Sequence, residues 1–288
     1  MRLAVGTVQF GLDYGIANAT GRTPADEAAC ILDQARLAGI DTLDTAAAYG
    51  DSEQVLGGIG VEGWKVVSKV PPVPDGVPNC RLWVREQIRQ SLDRLRLDRL
   101  DGLLLHSATD LLKPQGAEIA QGLCEAKAEG WVSKVGYSIY APQMLSELLP
   151  VMQPDLVQAP FNVLDQRLSR SGWLVRLTDA GIEVHARSVF LQGLLLMSPG
   201  QRPASFDRWS ALWQTWDALV AGHRGGALSL CLGFAKAQVA LSRIVVGVEH
   251  RHHLQQLLAA WAEAESIDAQ ALSCDDPQLL EPFNWVAK

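Results

Sequence analysis

The chain has 288 residues, of which 48% are hydrophobic and 20% charged, so its composition suits a large folded core and excludes a disordered protein. The formal net charge of -7 argues against a nucleic-acid partner, whose phosphates would need a basic face. The five cysteines are scattered, which is typical of free thiols in a reducing compartment. No apolar run is long enough to cross a bilayer, and no signal peptide is recognisable. We therefore expect a cytoplasmic protein without a membrane partner.

Short apolar segments alternate with amphipathic helical segments along the chain. The first apolar segment, residues 3–10, is predicted to be a strand. A helix is predicted next, because Thr23 can cap it, Pro24 suits its first turn, and Gly39 can end it. The next predicted strands are residues 41–44, 64–70 and 103–105. Helices are predicted between them at residues 51–59 and 81–95, and a further helix after the last of these strands runs to Glu129 and is ended by Gly130.

The second half of the chain continues the same alternation. Its predicted strands are residues 134–137, 155–158, 182–187 and 243–247, and its predicted helices are one that ends at Ala180, then residues 206–221, 227–238 and 252–262. Strands that alternate with helices give a parallel sheet, and eight such units favour closure over an open sheet. The sequence therefore predicts an α/β fold of the (β/α)8 TIM-barrel type, as a single domain over residues 1–288.

Polar side chains end three consecutive predicted strands, and strand ends form the functional face of such a barrel. Asp44 ends the second strand and Tyr49 follows it, Lys69 lies near the end of the third, and His106 follows the fourth. Taken singly, each has an ordinary structural explanation, as a helix cap, a packed ring, an ion-paired lysine or a core histidine. Together and in this order, they are expected to converge at the barrel mouth as a catalytic set, called the tetrad below.

The tetrad offers a division of labour for proton transfer. A phenol has a pKa near 10, and a buried ammonium beside it, from Lys69, is expected to lower the pKa of Tyr49. Asp44 would keep Lys69 charged, because an isolated buried ammonium tends to lose its proton. A neutral His106 could donate a hydrogen bond to a substrate carbonyl oxygen. Such a set suits protonation of the alkoxide that forms when hydride is delivered to a carbonyl.

These residues resemble the aldo-keto reductase superfamily, whose Asp, Tyr, Lys and His occur in this order on strands two to four. The pattern D-x-A-x-x-Y-G fits residues 44–50, and residues 6–11, 158–162 and 188–193 are also similar to the family. The resemblance implies an NAD(P)H-dependent oxidoreductase that reduces an aldehyde or ketone, or oxidises the alcohol, with Tyr49 as proton donor or acceptor. It also implies a small-molecule carbonyl substrate and a monomer or small homo-oligomer.

By the same resemblance, the cofactor lies at the barrel mouth. Asp44, Ser138 and Gln158 would lie near the nicotinamide, and Arg187 stands where the family usually stacks an aromatic ring on it. Ile139 replaces the usual Asn, which removes one hydrogen bond to the carboxamide. The implied cofactor-binding residues are Gly6, Thr7, Asp44, Ser138, Gln158, Arg187, Phe190, Gln192, Gly193, Gly247, Val248, Arg251, His253 and Gln256.

The segment after the last strand bears on the choice of cofactor. Glu249 would repel an adenosine 2'-phosphate and accept a hydrogen bond from a ribose hydroxyl, whereas Arg251 could bind that phosphate. The resemblance favours NADPH, with NADH as the alternative. His250, His252 and His253 lack partner ligands at metal-site spacing, so they are interpreted as a helix N-terminus near a bound phosphate, and no metal is expected.

Two other functions remain open from the sequence. Lys69 could form a Schiff base in a barrel aldolase or isomerase. The chain could also be a non-catalytic module that binds nicotinamide and regulates a partner, because a fold alone does not settle function. The pattern G-x-G-x-x-G at residues 58–63 follows a predicted helix and precedes a predicted strand, which is the wrong context for dinucleotide binding, so a turn is predicted there.

Overall fold

The computed structural model describes residues 1–285 of the chain. Eight parallel strands pair in sequence order, and the eighth pairs with the first, so that the sheet closes into a barrel. The strands are β1 Leu3–Gly6, β2 Thr42–Asp44, β3 Lys65–Val70, β4 Leu100–Leu105, β5 Val132–Ser138, β6 Leu156–Pro160, β7 Glu183–Arg187 and β8 Arg243–Gly247. The prediction of a (β/α)8 barrel is confirmed.

Helices connect the strands and cover the barrel. The α-helices are α1 Val8–Gly11, α2 Ala25–Leu37, α3 Ser52–Ile59, α4 Cys80–Leu95, α5 Gly116–Ala128, α6 Leu145–Leu148, α7 Arg167–Arg170, α8 Trp173–Asp179, α9 Ser210–Gly222, α10 Gly226–Ala237, α11 Arg251–Glu263 and α12 Pro277–Leu280. Short 3-10 segments lie at Ala108–Leu112, Pro142–Met144, Leu191–Leu196, Pro199–Gln201, Ala204–Trp209, Gln270–Leu272 and Pro282–Asn284.

Apolar packing on both sides of the sheet holds the barrel together. Inside it, Val67, Leu104 and Leu156 from three strands form a buried cluster. Gly102 leaves room for that cluster, because a Cβ atom at this position would lie 3.2 Å from the side chains of both Val67 and Leu156. Outside it, helix residues such as Ile31 are fully buried in the main core. A close-packed core fixes the strands, and therefore fixes the relative positions of the residues at their carboxyl ends.

The start of the chain differs from the sequence prediction in two places. The first strand ends at Gly6 rather than at residue 10, and α1 follows it directly. The chain turns there because Gly11 packs on the loop after β2, where a Cβ atom would lie 1.8 Å from the Tyr49 carbonyl oxygen. Thr23 does not cap α2: its hydroxyl donates to the Glu249 carbonyl oxygen at 3.0 Å, and Pro24 occupies the N-cap position.

Two buried tryptophans fix the segment between β7 and β8. The Trp216 indole nitrogen donates to the Leu195 carbonyl oxygen at 3.2 Å, and the Trp213 indole nitrogen donates to the Phe206 carbonyl oxygen at 2.9 Å. The predicted helix over residues 206–221 is a 3-10 segment that runs into α9. Within residues 1–285, no single helix is long and apolar enough to span a membrane, and one pair, Ala204–Gly222 with Gly226–Ala237, passes only when taken together across a bend of 99°.

Candidate active site

A cavity of about 560 Å³ opens at the carboxyl ends of the strands. The four tetrad side chains line it, and so does every residue of the cofactor-binding set given above except Arg251. Gln9, Tyr14, Tyr140 and Glu249 are among the other lining residues. The structure therefore brings the strand ends together into one concave site, as is usual for this architecture.

An ion pair lies at the base of the cavity. Asp44 is the last residue of β2, and its Oδ2 accepts a hydrogen bond from Lys69 Nζ at 2.7 Å. Lys69 is only 1% exposed, and its Nζ also donates to the Thr45 carbonyl oxygen at 3.0 Å. The Nζ atom lies 5.1 Å from the centre of the Tyr49 ring. Asp44 therefore fixes the ammonium group directly beside the phenol.

Tyr49 and His106 complete the tetrad. Tyr49 sits in a short turn after β2, in which its amide donates to the Ala46 carbonyl oxygen at 3.0 Å and its carbonyl oxygen accepts from the Ser52 amide at 3.0 Å. The His106 ring meets the Tyr49 ring edge to face, with 5.7 Å between the ring centres and an interplanar angle of 85°. The phenol thus contacts both the cation and the imidazole.

The pKa of Tyr49 moves in the direction opposite to the sequence expectation. Burial raises this pKa above its ordinary value, and the negative charge of Asp44 raises it further. The cation that lowers it is the guanidinium of Arg187. Burial also lowers the pKa of Lys69, an effect that Asp44 opposes. In the protein without ligands, Tyr49 is therefore a protonated phenol at neutral pH, which can donate a proton.

His106 is held as a neutral imidazole. Burial lowers the pKa of His106 to about 4, and the positive charges of Lys69 and Arg187 act in the same direction. Its Nδ1 is buried, and among residues 1–285 it has no hydrogen-bond partner. A neutral imidazole carries one N–H donor, which is the form that can hydrogen-bond to a carbonyl oxygen at neutral pH.

Gln158 leaves a buried acceptor at the cavity wall. Its Nε2 donates to Asp44 Oδ1 at 2.6 Å, whereas its Oε1 is buried and has no donor among residues 1–285. An unpaired buried oxygen costs free energy, so it indicates a missing donor. A primary amide such as the nicotinamide carboxamide is a suitable one, and the neighbouring Ser138 also lines the cavity. The residues present therefore fit a nicotinamide.

Arg187, at the end of β7, is fixed in place by neutral groups. Its Nε donates to Ser138 Oγ at 3.3 Å, and its two terminal nitrogens donate to Ser188 Oγ at 3.2 Å and to the Ile139 carbonyl oxygen at 3.0 Å. Its guanidinium lies over the Tyr140 ring, 4.3 Å from the ring centre. Ile139 itself is fully buried in the core.

The loop after β7 has a strained backbone. Positive φ angles occur at Ser188 (57°), Leu191 (48°), Gln192 (54°) and Gly193 (88°). Each such angle at a non-glycine residue costs on the order of 1–3 kcal/mol, and such residues are frequent at ligand-binding loops. Gly193 is required here, because a Cβ atom would lie 2.5 Å from Ala17 Cβ. Gln192 Nε2 also donates to the Tyr14 hydroxyl at 2.9 Å, so this loop bridges the cavity to residues 14–17.

Arg251 is the one predicted residue that the structure does not bring to the cavity. It begins α11, and its guanidinium Nε and terminal nitrogen donate to Glu27 Oε2 at 2.9 and 2.6 Å. Its backbone amide donates to Glu27 Oε1 at 2.6 Å. The buried Glu27 carboxylate on α2 therefore holds both the side chain and the helix end, in contrast to the expectation that Arg251 contacts the cofactor. His250 caps the same helix, as its Nδ1 accepts from the His252 amide at 3.1 Å.

Gln9 and Tyr140 are among the lining residues that were not identified from the sequence. Gln9 lies on α1, and its amide group packs on Gly247, where a Cβ atom would lie 2.9 Å from Gln9 Nε2. The prediction placed Gln9 on a strand, where the direction of its side chain could not be assigned to the cavity. Tyr140 follows the Gly136-Tyr137-Ser138 segment that marks the end of β5, and that segment was the available signal.

Comparison with known proteins gives consistent results. A sequence model described as the aldo/keto reductase family matches residues 2–274. The chain is 24% identical to an uncharacterized oxidoreductase from Bacillus subtilis over 83% of each chain, and 27% identical to L-galactose dehydrogenase from Arabidopsis thaliana over 97% of this chain and 92% of that protein. It is 28% identical to an NADH-specific methylglyoxal reductase from Escherichia coli over 62% and 59% of the two chains. An aldo-keto reductase from Bacillus halodurans in its holo form has the same fold, with a TM-score of 0.75, 22% identity and coverage of 94% and 89%.

Proposed function

This chain belongs to the aldo/keto reductase family, and we propose that it is an NAD(P)H-dependent oxidoreductase that reduces the carbonyl group of a small aldehyde or ketone. The observation that carries the proposal is the convergence of the tetrad at one end of the cavity, with Lys69 bound to Asp44 at 2.7 Å and lying 5.1 Å from the Tyr49 ring centre. Four groups suited to proton donation and to carbonyl orientation thus share a single site.

The proposed roles follow from the charges of these groups. Nicotinamide, when bound, supplies the hydride. Tyr49, protonated at neutral pH, donates its proton to the carbonyl oxygen as that oxygen becomes an alkoxide. The nearby cations, Lys69 and Arg187, stabilise the phenolate left behind. His106, neutral because its pKa is lowered to about 4, donates a hydrogen bond that orients the carbonyl oxygen.

Specific residues would hold the cofactor. Gln158 Oε1 would accept a hydrogen bond from the carboxamide, beside Ser138. The strained loop over residues 188–193 would bind near the pyrophosphate, where Gly193 permits close backbone approach. The support for this arrangement is the unpaired Gln158 oxygen, the conformation of that loop and their shared position on the cavity wall.

The Schiff-base alternative is disfavoured by the surroundings of Lys69. A Schiff-base lysine must be a free amine that a carbonyl substrate can reach. Lys69 is 1% exposed, and its ammonium is bound to the Asp44 carboxylate and to the Thr45 carbonyl oxygen. This arrangement favours a charged lysine that acts on its neighbours through its field.

The proposed function predicts turnover with a set of aldehydes and ketones. The purified protein with NADH or NADPH should consume the reduced nicotinamide in the presence of at least some small carbonyl compounds, as measured by its absorbance. A protein that binds the nicotinamide cofactor but reduces no member of a broad carbonyl panel would contradict the proposal and favour the non-catalytic regulatory module instead.

For the adenosine end of the cofactor, the geometry supports NADH rather than the NADPH that the resemblance favours. Glu249 is half-buried at the cavity wall, and burial raises its pKa. The one basic residue expected to bind a 2'-phosphate, Arg251, is neutralised by Glu27. A 2'-phosphate would therefore meet the Glu249 carboxylate without a free arginine, whereas a ribose hydroxyl can donate to that carboxylate.

We therefore predict that the wild-type protein binds NADH at least about tenfold more tightly than NADPH, and that Glu27→Gln narrows this ratio, because it removes a negative charge and weakens the hold on Arg251. Titration followed by tryptophan fluorescence would measure both affinities. Asp33→Asn is the matched control, since Asp33 is an exposed carboxylate on the same helix, and it should leave the ratio unchanged. Tighter binding of NADPH by the wild type would contradict the prediction.

A further inference from the structure

The reacting end of the cavity carries an excess of positive charge. Two cations, Lys69 and Arg187, and one carboxylate, Asp44, line it. Asp44 is bound to Lys69, so its charge is already compensated. Glu249, the other lining carboxylate among residues 1–285, belongs to the segment after β8, at the opposite end of the proposed cofactor site. One positive charge, that of Arg187, is therefore left without an anion near the tetrad.

The environment of Arg187 explains why this charge stays uncompensated in the ligand-free protein. Among residues 1–285, its hydrogen-bond acceptors are two hydroxyl groups and one carbonyl oxygen, all of them neutral. Burial raises the pKa of Asp165, and Arg187 lies close enough to oppose this rise, but the Asp165 oxygens accept from Arg167 at 2.8 and 2.9 Å. The Asp165 carboxylate is thus already paired with another arginine.

The guanidinium of Arg187 also has unused hydrogen-bond donors and a fixed orientation, both of which suit the binding of an oxyanion. A guanidinium carries five N–H donors, and only three of those of Arg187 are used by protein groups within residues 1–285. Tyr140 covers one face of the group at 4.3 Å, which fixes its plane at the cavity wall. A rigid guanidinium with unused donors matches the planar geometry of a carboxylate and the oxygens of a phosphate.

We propose that the substrate is an anionic carbonyl compound, whose carboxylate or phosphate group binds to Arg187 while its carbonyl oxygen faces Tyr49. This inference rests on the proposed function and narrows its substrate class. Lys69 does not serve as the anion's partner, because it is buried and already bound to Asp44, so recognition of the anion falls to Arg187.

The test compares carbonyl substrates that differ in whether they carry an anionic group. One pair is 4-oxobutanoate and butanal, and the second is glyceraldehyde 3-phosphate and glyceraldehyde, so that the two pairs distinguish a carboxylate from a phosphate. We expect kcat/KM to favour the anionic member of one pair by at least about tenfold, and Arg187→Gln to reduce that ratio by at least about tenfold. Arg187→Lys should recover part of the ratio, because it restores the charge without the planar fork.

A matched control is available on the surface of the barrel. Arg176 on α8 is exposed and stacks on the Trp173 ring at 5.1 Å, so Arg176→Gln removes the same charge and a similar stacking contact far from the tetrad. The ratio should not change in this variant. A ratio near one in the wild type, or a ratio that Arg187→Gln leaves intact, overturns the inference while carbonyl reduction itself still stands.

A binding measurement keeps the inference separate from turnover. Calorimetric titration of the cofactor-saturated protein with 4-hydroxybutanoate, glycerol 3-phosphate and 1-butanol should show binding of an anionic ligand that Arg187→Gln weakens at least about tenfold. If no carbonyl is reduced but this binding persists, the proposed function fails and the oxyanion site stands. If Arg187→Gln weakens cofactor binding and leaves anion binding unchanged, Arg187 serves the cofactor and the inference is overturned.

Discussion

Tyr49→Phe is expected to lower kcat/KM for carbonyl reduction by about 10²- to 10⁴-fold, which is the usual contribution of a positioned general acid. The substitution removes only the hydroxyl group. The ring that meets His106 edge to face and lies beside Lys69 would remain, so the shape of the cavity and the affinity for nicotinamide should be preserved. Steady-state kinetics would measure the loss, and a fluorescence titration would measure the binding.

Tyr137→Phe is the matched control for this prediction. Tyr137 lies on β5 and is fully buried, and its hydroxyl has no hydrogen-bond partner among residues 1–285. Loss of that hydroxyl leaves no partner unpaired, so neither activity nor stability should fall. If Tyr49→Phe and Tyr137→Phe behave alike, with turnover retained in both, Tyr49 is not the proton donor and the tetrad must be assigned anew.

The fold was accessible from the sequence because its signals are local. Each strand is a short apolar run, and each main helix carries a buried stripe, so the eight repeats could be read without long-range information. The main error concerned residues 8–11. Their alternation of apolar and polar side chains is typical of a strand, but the backbone turns into α1 because Gly11 must pack on the carbonyl oxygen of Tyr49. That contact joins residues 38 positions apart, and no local pattern encodes it.

For the candidate site, the sequence predicted which residues would line the cavity better than it predicted their charges and pKa values. The convergence of four side chains on one cavity could be predicted, because each lies at or just after a strand end, where a barrel places its functional groups: Asp44, Tyr49, Lys69 and His106. The direction of the pKa shift of Tyr49 could not be predicted, because it depends on how deeply the phenol is buried and on the charge of Asp44. The ion pair that neutralises Arg251 could not be predicted either, because its partner Glu27 lies 224 positions away in the sequence.

Asp44 connects the two halves of the candidate site. One of its oxygens accepts from Lys69 and the other from Gln158, at 2.7 and 2.6 Å. The same carboxylate therefore holds the cation beside Tyr49 and orients the amide that would meet the nicotinamide. A change at Asp44 should thus affect cofactor binding and proton transfer together, whereas a change at Lys69 should affect proton transfer and stability.

Lys69→Met is expected to destabilise the protein by about 3–5 kcal/mol, because it leaves the buried Asp44 carboxylate without its counter-charge. Methionine has a similar length, so little packing is lost. The double variant Lys69→Met with Asp44→Asn should recover most of this loss, since the asparagine is neutral and its side-chain oxygen can still accept from Gln158. Urea unfolding would give the free energies of unfolding for the wild type, both single variants and the double variant.

In this series of variants, the rate of carbonyl reduction should not change in parallel with the free energy of unfolding. The double variant lacks the ammonium beside Tyr49 and should remain impaired in carbonyl reduction by at least about 10²-fold even though it is folded and stable. This contrast separates the electrostatic role of Lys69 from a merely structural one. A double variant that regains both stability and turnover would mean that the ion pair only fills the base of the cavity and that proton donation by Tyr49 needs no neighbouring cation from β3.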